Sequence, residues 1–110
     1  MVQETTRTPL DRLTDPQELL RLVEGGSEAY HLIDVRSPEE FADGHIPTAV
    51  NIPFQLIEER VPTTNRDALL VLYCQSGGRS AVAKAILQDI GFQHVVNFGA
   101  IADWPGTIER

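Results

Sequence analysis

The sequence predicts an α/β fold, a mostly parallel sheet with helices on both faces. Three observations carry that expectation. Short apolar runs alternate with segments that begin on helix caps and end on glycines. The run at 30–35 fits a strand buried on both faces, as in a parallel sheet, and the run at 69–73 is a strong strand signal. The chain has 110 residues, 42% apolar and 23% charged, which is enough to bury the core of one domain.

The elements follow in order. Asp15-Pro16-Gln17-Glu18 opens a helix: Asp15 caps, Pro16 suits the first turn, and Glu18 stands three residues after the cap. Leu19, Leu20, Leu22 and Val23 give it an apolar face, and Gly25-Gly26 stops it. Leu32, Ile33 and Val35 mark the first strand. Ser37-Pro38-Glu39-Glu40 repeats the capping logic for a short helix through Phe41, closed by Gly44. Residues 49–52 read as a short strand before Pro53. Residues 54–60 read as a brief helix with Phe54, Ile57 and Val61 on one side, stopped by Pro62. Leu69-Leu70-Val71-Leu72-Tyr73 is the strongest strand signal. After a polar loop at 74–79 comes a helix over 80–90, with Ser80 as its cap and Gly91 as its stop. Ala81, Ala83 and Ala85 suit close packing of that helix on a sheet, and Val95-Val96 form a last short strand.

Composition narrows the function. The formal net charge is −7, from 16 acidic and 9 basic residues. That argues against a nucleic-acid binder and against docking on an anionic membrane. No apolar run approaches the roughly 20 residues of a transmembrane helix. The N-terminal M-V-Q-E-T-T-R-T-P lacks the apolar core of a signal peptide, so the expected location is cytoplasmic. A single cysteine excludes an intramolecular disulfide and a Cys-rich zinc site.

That cysteine, Cys74, directly follows the strongest strand, at the carboxyl edge where parallel sheets bind ligands. The segment Y-C-Q-S-G-G-R-S runs from strand end through a tight loop into a helix. Gly77 and Gly78 permit positive φ and close approach of backbone to a ligand. N–H groups and the helix dipole at the helix start favour an anion there, and Arg79 adds a full charge. All three favour a thiolate, so the Cys74 pKa is expected to fall. The alternative is ordinary: a turn at Gly77-Gly78, a solvated Arg79, and a lone cysteine serving as a small buried hydrophobe.

Three ordered segments add a resemblance. L-I-D-V-R-S-P-E-E-F at 32–41, G-H-I-P-T-A-V-N-I-P at 44–53 and Y-C-Q-S-G-G-R-S-A-V-A at 73–83 are similar to the rhodanese homology domain in order and spacing. V-V-N-F-G-A-I-A-D-W at 95–104 is a weaker match, and the likeness spans about residues 13–104. The chain thus resembles a single-domain rhodanese, with one domain over 1–110. The resemblance implies a five-stranded parallel sheet flanked by helices on both faces. It implies a thiosulfate sulfurtransferase that moves sulfane sulfur through a Cys74 persulfide, with no metal and no organic cofactor. The implied partners are a small sulfur donor and a thiophilic acceptor, either cyanide, a cellular thiol or an acceptor protein.

By the same match the active-site loop is Cys74, Gln75, Ser76, Gly77, Gly78 and Arg79, with Cys74 the nucleophile. Backbone N–H groups stabilise the persulfide, and Arg79 orders the loop and offsets charge. Asp34 and Arg36 match the D-V-R element; they support the loop or form a buried ion pair without a chemical role. Glu40 is first a capping-box residue and second a partner for an arginine. His45 has a structural role in its turn, while His31 and His94 match nothing catalytic. Two positions depart from the family. Gly99-Ala100 stands where paired glycines are usual, and Gln75 stands where arginine is common, which removes a cation from the pocket mouth.

Two other classes share this scaffold. Cysteine phosphatases and arsenate reductases carry one more residue between cysteine and arginine than the four here, which makes a roomier cradle for a tetrahedral oxyanion. Non-enzymatic interaction or sulfur-carrier modules form the second class; inactive domains of this kind usually lack the cysteine.

Overall fold

The computed structural model describes residues 11–26 and 28–110. The N-terminal segment on which the expectation about a signal peptide rests lies outside them. Four strands form one sheet: β1 (His31–Asp34), β2 (Val50–Asn51), β3 (Leu69–Cys74) and β4 (His94–Ala100). Every neighbouring pair is parallel, in the order β2-β1-β3-β4. Four helices accompany them: α1 (Pro16–Gly25), α2 (Pro38–Asp43), α3 (Ile57–Arg60) and α4 (Gly78–Asp89). No helix among the described residues is long and apolar enough to cross a membrane.

The sheet has four strands among the described residues, not the five that the family resemblance implies. Beside β4 the chain forms a 3-10 turn, Asp11–Thr14, which packs its Leu13 into the core. A 3-10 turn directs its backbone hydrogen bonds along its own axis and offers β4 no ladder to extend.

β3 is buried along its whole length, yet its side chains still alternate between two cores. Leu69, Val71 and Tyr73 join Leu19 and Leu22 of α1 on one face. Leu70, Leu72 and Cys74 join Ile57 of α3 and Ala83 and Leu87 of α4 on the other. This two-residue period with both faces covered explains why the run is continuously apolar.

Local signals account for most boundaries. Asp15 Oδ1 accepts from the Gln17 N–H at 2.9 Å at the start of α1, while Glu18 pairs with Arg12 and Arg21 rather than closing a capping box. Around Ser37 the box is complete: the Glu40 N–H donates to Ser37 Oγ at 3.2 Å and the Ser37 N–H to Glu40 Oε1 at 3.0 Å. The expected helix over 54–60 splits into a 3-10 turn, Phe54–Leu56, and α3, because Leu56 sits near φ −107°, ψ 5°.

Three expectations need correction. α4 begins at Gly78, so Ser80 lies inside its first turn and is fully buried instead of capping it. Of the three alanines only Ala83 meets the sheet; Ala81 and Ala85 are exposed, off the Ser80–Ala83–Leu87 stripe that the helical period sets. β4 runs well beyond Val95-Val96 to Ala100. It does so by a bulge: Leu72 pairs with Asn97 and Tyr73 with Gly99, which leaves Phe98 as the extra residue and Gly99 at φ 107°.

Candidate active site

The strand order reverses direction beside β1. The chain leaves β1 for β2 on one side, then crosses back to β3 on the other. Such a switch point opens a crevice at the carboxyl ends of the two central strands. Asp34 ends β1 and Cys74 ends β3, and the two strands remain joined past Asp34 by the Val35 N–H donating to the Tyr73 carbonyl at 3.1 Å. Topology therefore brings D-V-R and the cysteine loop together although 39 residues separate Arg36 from Gln75.

At α4 the helix start has no side-chain cap. Gly77 is the N-cap, in the left-handed region at φ 97°. The acceptor that the N-cap N–H finds is sulfur. The Gly77 N–H donates to Cys74 Sγ at 2.9 Å, and the Ser80 hydroxyl lies 3.4 Å from the same atom. Cys74 is only 1% exposed. That burial pushes its thiol up. Hydrogen bonds from the Ser80 hydroxyl and the N–H groups of Ser80, Ser76 and Gly77 outweigh it, so the net shift is downward. Donors at the start of the helix are thus turned to the cysteine sulfur.

Two arginine–carboxylate clamps hold this loop. Asp34 is fully buried and Arg36 nearly so. Asp34 Oδ1 accepts the Arg36 backbone N–H at 2.9 Å and Nε at 3.0 Å, and Oδ2 accepts Nη2 at 2.6 Å. Arg36 Nη2 also donates to the Gly44 carbonyl at 2.6 Å, and Nη1 approaches Gln75 Oε1 at 3.4 Å. Asn51 Nδ2 donates to the carbonyls of Asp34 and Arg36, fixing the strand end. In the second clamp Arg79 donates to Glu40 in a fork, Nη1 to Oε1 at 2.7 Å and Nη2 to Oε2 at 2.9 Å. That fork, helped by the Ser37 N–H, holds the Glu40 carboxyl down at about 2.

A match to the rhodanese-like domain model over residues 15–105 covers most of the chain. The chain belongs to the rhodanese-like domain family. It is 39% identical over 77 residues to the thiosulfate sulfurtransferase PspE of Escherichia coli, covering 68% of this chain and 74% of that protein. It is 37% identical over 106 residues to a sulfurtransferase of Allochromatium vinosum, covering 94% and 89%. The solved structure of the human single-domain sulfurtransferase TSTD1 superposes with a TM-score of 0.70 at 31% identity, covering 80% of this chain and 89% of that one.

Within this rhodanese-like domain the loop 74–79 brings the Gly77 N–H to the sulfur, while Gln75, Ser76 and Gly78 are exposed. Arg79 turns its guanidinium to Glu40, so both arginines of the site are neutralised by a carboxylate. Gly99 and Ala100 belong to β4 and pair with Tyr73 and Cys74 at the strand end. His45 stacks on Phe41, with ring centroids 3.8 Å apart, and its Nδ1 lies 3.0 Å from the Phe41 carbonyl oxygen. His31 and His94 line a cleft at the opposite edge of the sheet.

Sequence reasoning missed two residues of the rhodanese-like site. Ser80 passes for a helix cap, and Asn97 attracts no notice. The readable signals were the helical stripe 80–83–87 and a polar side chain inside the apolar strand run at 95–98.

Proposed function

We propose that this protein is a sulfurtransferase in which Cys74 carries the moving sulfur as a persulfide. The observation that carries this reading is the sulfur itself as the acceptor at the α4 N-terminus, with the Gly77 N–H at 2.9 Å. A cradle of fixed N–H donors favours the thiolate, which is the nucleophile. In the first step the thiolate attacks the outer sulfur of a donor such as thiosulfate. The Cys74 S–S bond forms, the donor's S–S bond breaks, and sulfite leaves with the electron pair. In the second step cyanide or a thiolate attacks the outer sulfur of the persulfide. Thiocyanate or a new persulfide departs, and Cys74 returns as thiolate.

In this reading residues 75–79 bind the substrate through backbone N–H groups. Asp34 and Arg36 position the loop without touching sulfur, and Arg79 with Glu40 sets the loop against α2. No metal or organic cofactor enters either step. A lone thiol that must stay reduced between turnovers suits the cytoplasm. The protein works as one domain on small donors, and an acceptor protein is a second class of partner.

A phosphatase reading has less support. Its arginine must face a bound oxyanion, whereas Arg79 is committed to Glu40, and the loop has only four residues between Cys74 and Arg79. The test is turnover with thiosulfate and cyanide. Native protein should release thiocyanate repeatedly and Cys74→Ser none. Sulfur loading without turnover would make the protein a carrier, and no loading from any donor would end the proposal.

A further inference from the structure

The Ser80 hydroxyl has three acceptors around it and one proton to give. Asn97 Oδ1 lies 2.7 Å from Ser80 Oγ, the Gly77 carbonyl 3.1 Å and Cys74 Sγ 3.4 Å. Ser80 is fully buried, so water does not supply a further partner. A hydroxyl donates one hydrogen and accepts through its lone pairs. The shortest of the three contacts is the one to Asn97.

The Asn97 amide is itself oriented. Its Nδ2 donates to the Gly77 carbonyl at 3.3 Å, which leaves Oδ1 for Ser80. Asn97 sits on β4 just before the bulge at Phe98, on the same face of the sheet as Val95 and Cys74. Position and orientation are therefore both set by the fold.

We infer that Asn97 is a positioning residue for sulfur transfer, acting through Ser80 by competing with the Cys74 sulfur for the Ser80 proton. With Cys74 as a thiol, Ser80 donates to Asn97 and offers a lone pair to the S–H. When the thiol loses its proton, the hydroxyl rotates and donates to the thiolate. When the outer sulfur of the persulfide takes the charge, the inner sulfur becomes a poor acceptor and the proton returns to Asn97. Between these states Ser80 and Asn97 themselves exchange only hydrogen bonds, so Asn97 is a resting place for the Ser80 proton whenever the sulfur does not take it.

The charged groups around Cys74 do not supply this competition. Arg79 on α4 is held by Glu40 of α2, and Arg36 is held by Asp34 of β1. On the β4 side, the group that bonds Ser80 is the neutral Asn97.

The inference rests on Cys74 being the reactive group. Its readout is ionisation, so it is decided separately from whether sulfur moves. The experiment measures the rate of Cys74 alkylation against pH in Asn97→Ala and Asn97→Leu, each with native Ser80 and with Ser80→Ala. Asn97→Leu keeps the branched shape of the side chain if the smaller variant fails to fold. Freed of its nearest competitor, with the Gly77 carbonyl at 3.1 Å the other acceptor besides sulfur, Ser80 donates more fully to the thiolate, and the apparent pKa should fall by about half a unit to one unit. Ser80→Ala alone should raise it by a similar amount. Combined with Ser80→Ala, the Asn97 change should have no effect. An unchanged or raised pKa in the single Asn97 variants would overturn the inference. So would an equal shift in both Ser80 backgrounds, which would mean that Asn97 acts on the loop through Gly77 instead.

Discussion

The two arginine–carboxylate clamps around Cys74 look alike as chemistry and differ in almost everything physical. Asp34 and Arg36 lie two residues apart, with side chains 0% and 5% exposed. Glu40 and Arg79 lie 39 residues apart, with side chains 32% and 34% exposed. The first clamp is removed from water, so each charge depends on the other and on the Gly44 carbonyl and Arg36 N–H that complete its shell. The second keeps much of its hydration, so it adds little to stability but fixes the first turn of α4 against α2. Burial, rather than the identity of the pair, decides which clamp supports the fold and which tunes the loop.

Asp34→Ala tests the buried clamp and carries the largest expected effect. It strands the Arg36 guanidinium in the interior, which typically costs about 3–5 kcal/mol. Thermal unfolding should show a fall on the order of 15 °C or more for a domain of this size. Persulfide formation should persist slowly, because the nucleophile remains. Intact stability with lost turnover would instead put Asp34 in direct contact with the reaction.

Arg79→Ala tests the exposed clamp. The stability loss should stay within about 1 kcal/mol. The larger consequence should appear at the sulfur: with the loop less ordered and a cation gone, the Cys74 alkylation pKa should rise. A melting temperature lowered as far as in Asp34→Ala would erase the distinction between the clamps.

The pH dependence of the Glu40 contribution sharpens the same point with a smaller effect. Its carboxyl is held down at about 2 in the fold, against roughly 4.3 in an unfolded chain. A depressed folded value means that the unfolded state takes up the proton first. The Glu40 contribution is therefore fully present above about pH 5 and lost as pH falls toward 2. Native protein and Glu40→Gln should differ by a constant small margin in melting temperature at neutral pH, converging in acid. A margin that grows as pH falls would contradict the pairing.

Much of this arrangement was legible in the sequence, and the exceptions have physical causes. Cys74 and its glycines were visible because an apolar strand run ends abruptly in small and polar residues. The capping box at Ser37 and Glu40 was visible because it is local. The start of α4 was misread because Gly77 takes the cap position with its N–H on the Cys74 sulfur, while the Ser80 hydroxyl turns inward to Asn97. The pairing of Glu40 with an arginine was expected from the family likeness; that the arginine is Arg79, and that Ser80 partners Asn97, spans elements far apart in the chain, and no spacing rule encodes it. The strand count came from the family likeness, and the 3-10 turn at Asp11–Thr14 beside β4 departs from it.

The measurement that tests the central claim most directly is the intact mass of the native protein after incubation with thiosulfate. The account predicts one added sulfur, carried on Cys74, removed by cyanide and absent in Cys74→Ser. An unchanged mass with thiosulfate and with persulfide donors, or the same added sulfur in Cys74→Ser, would contradict it.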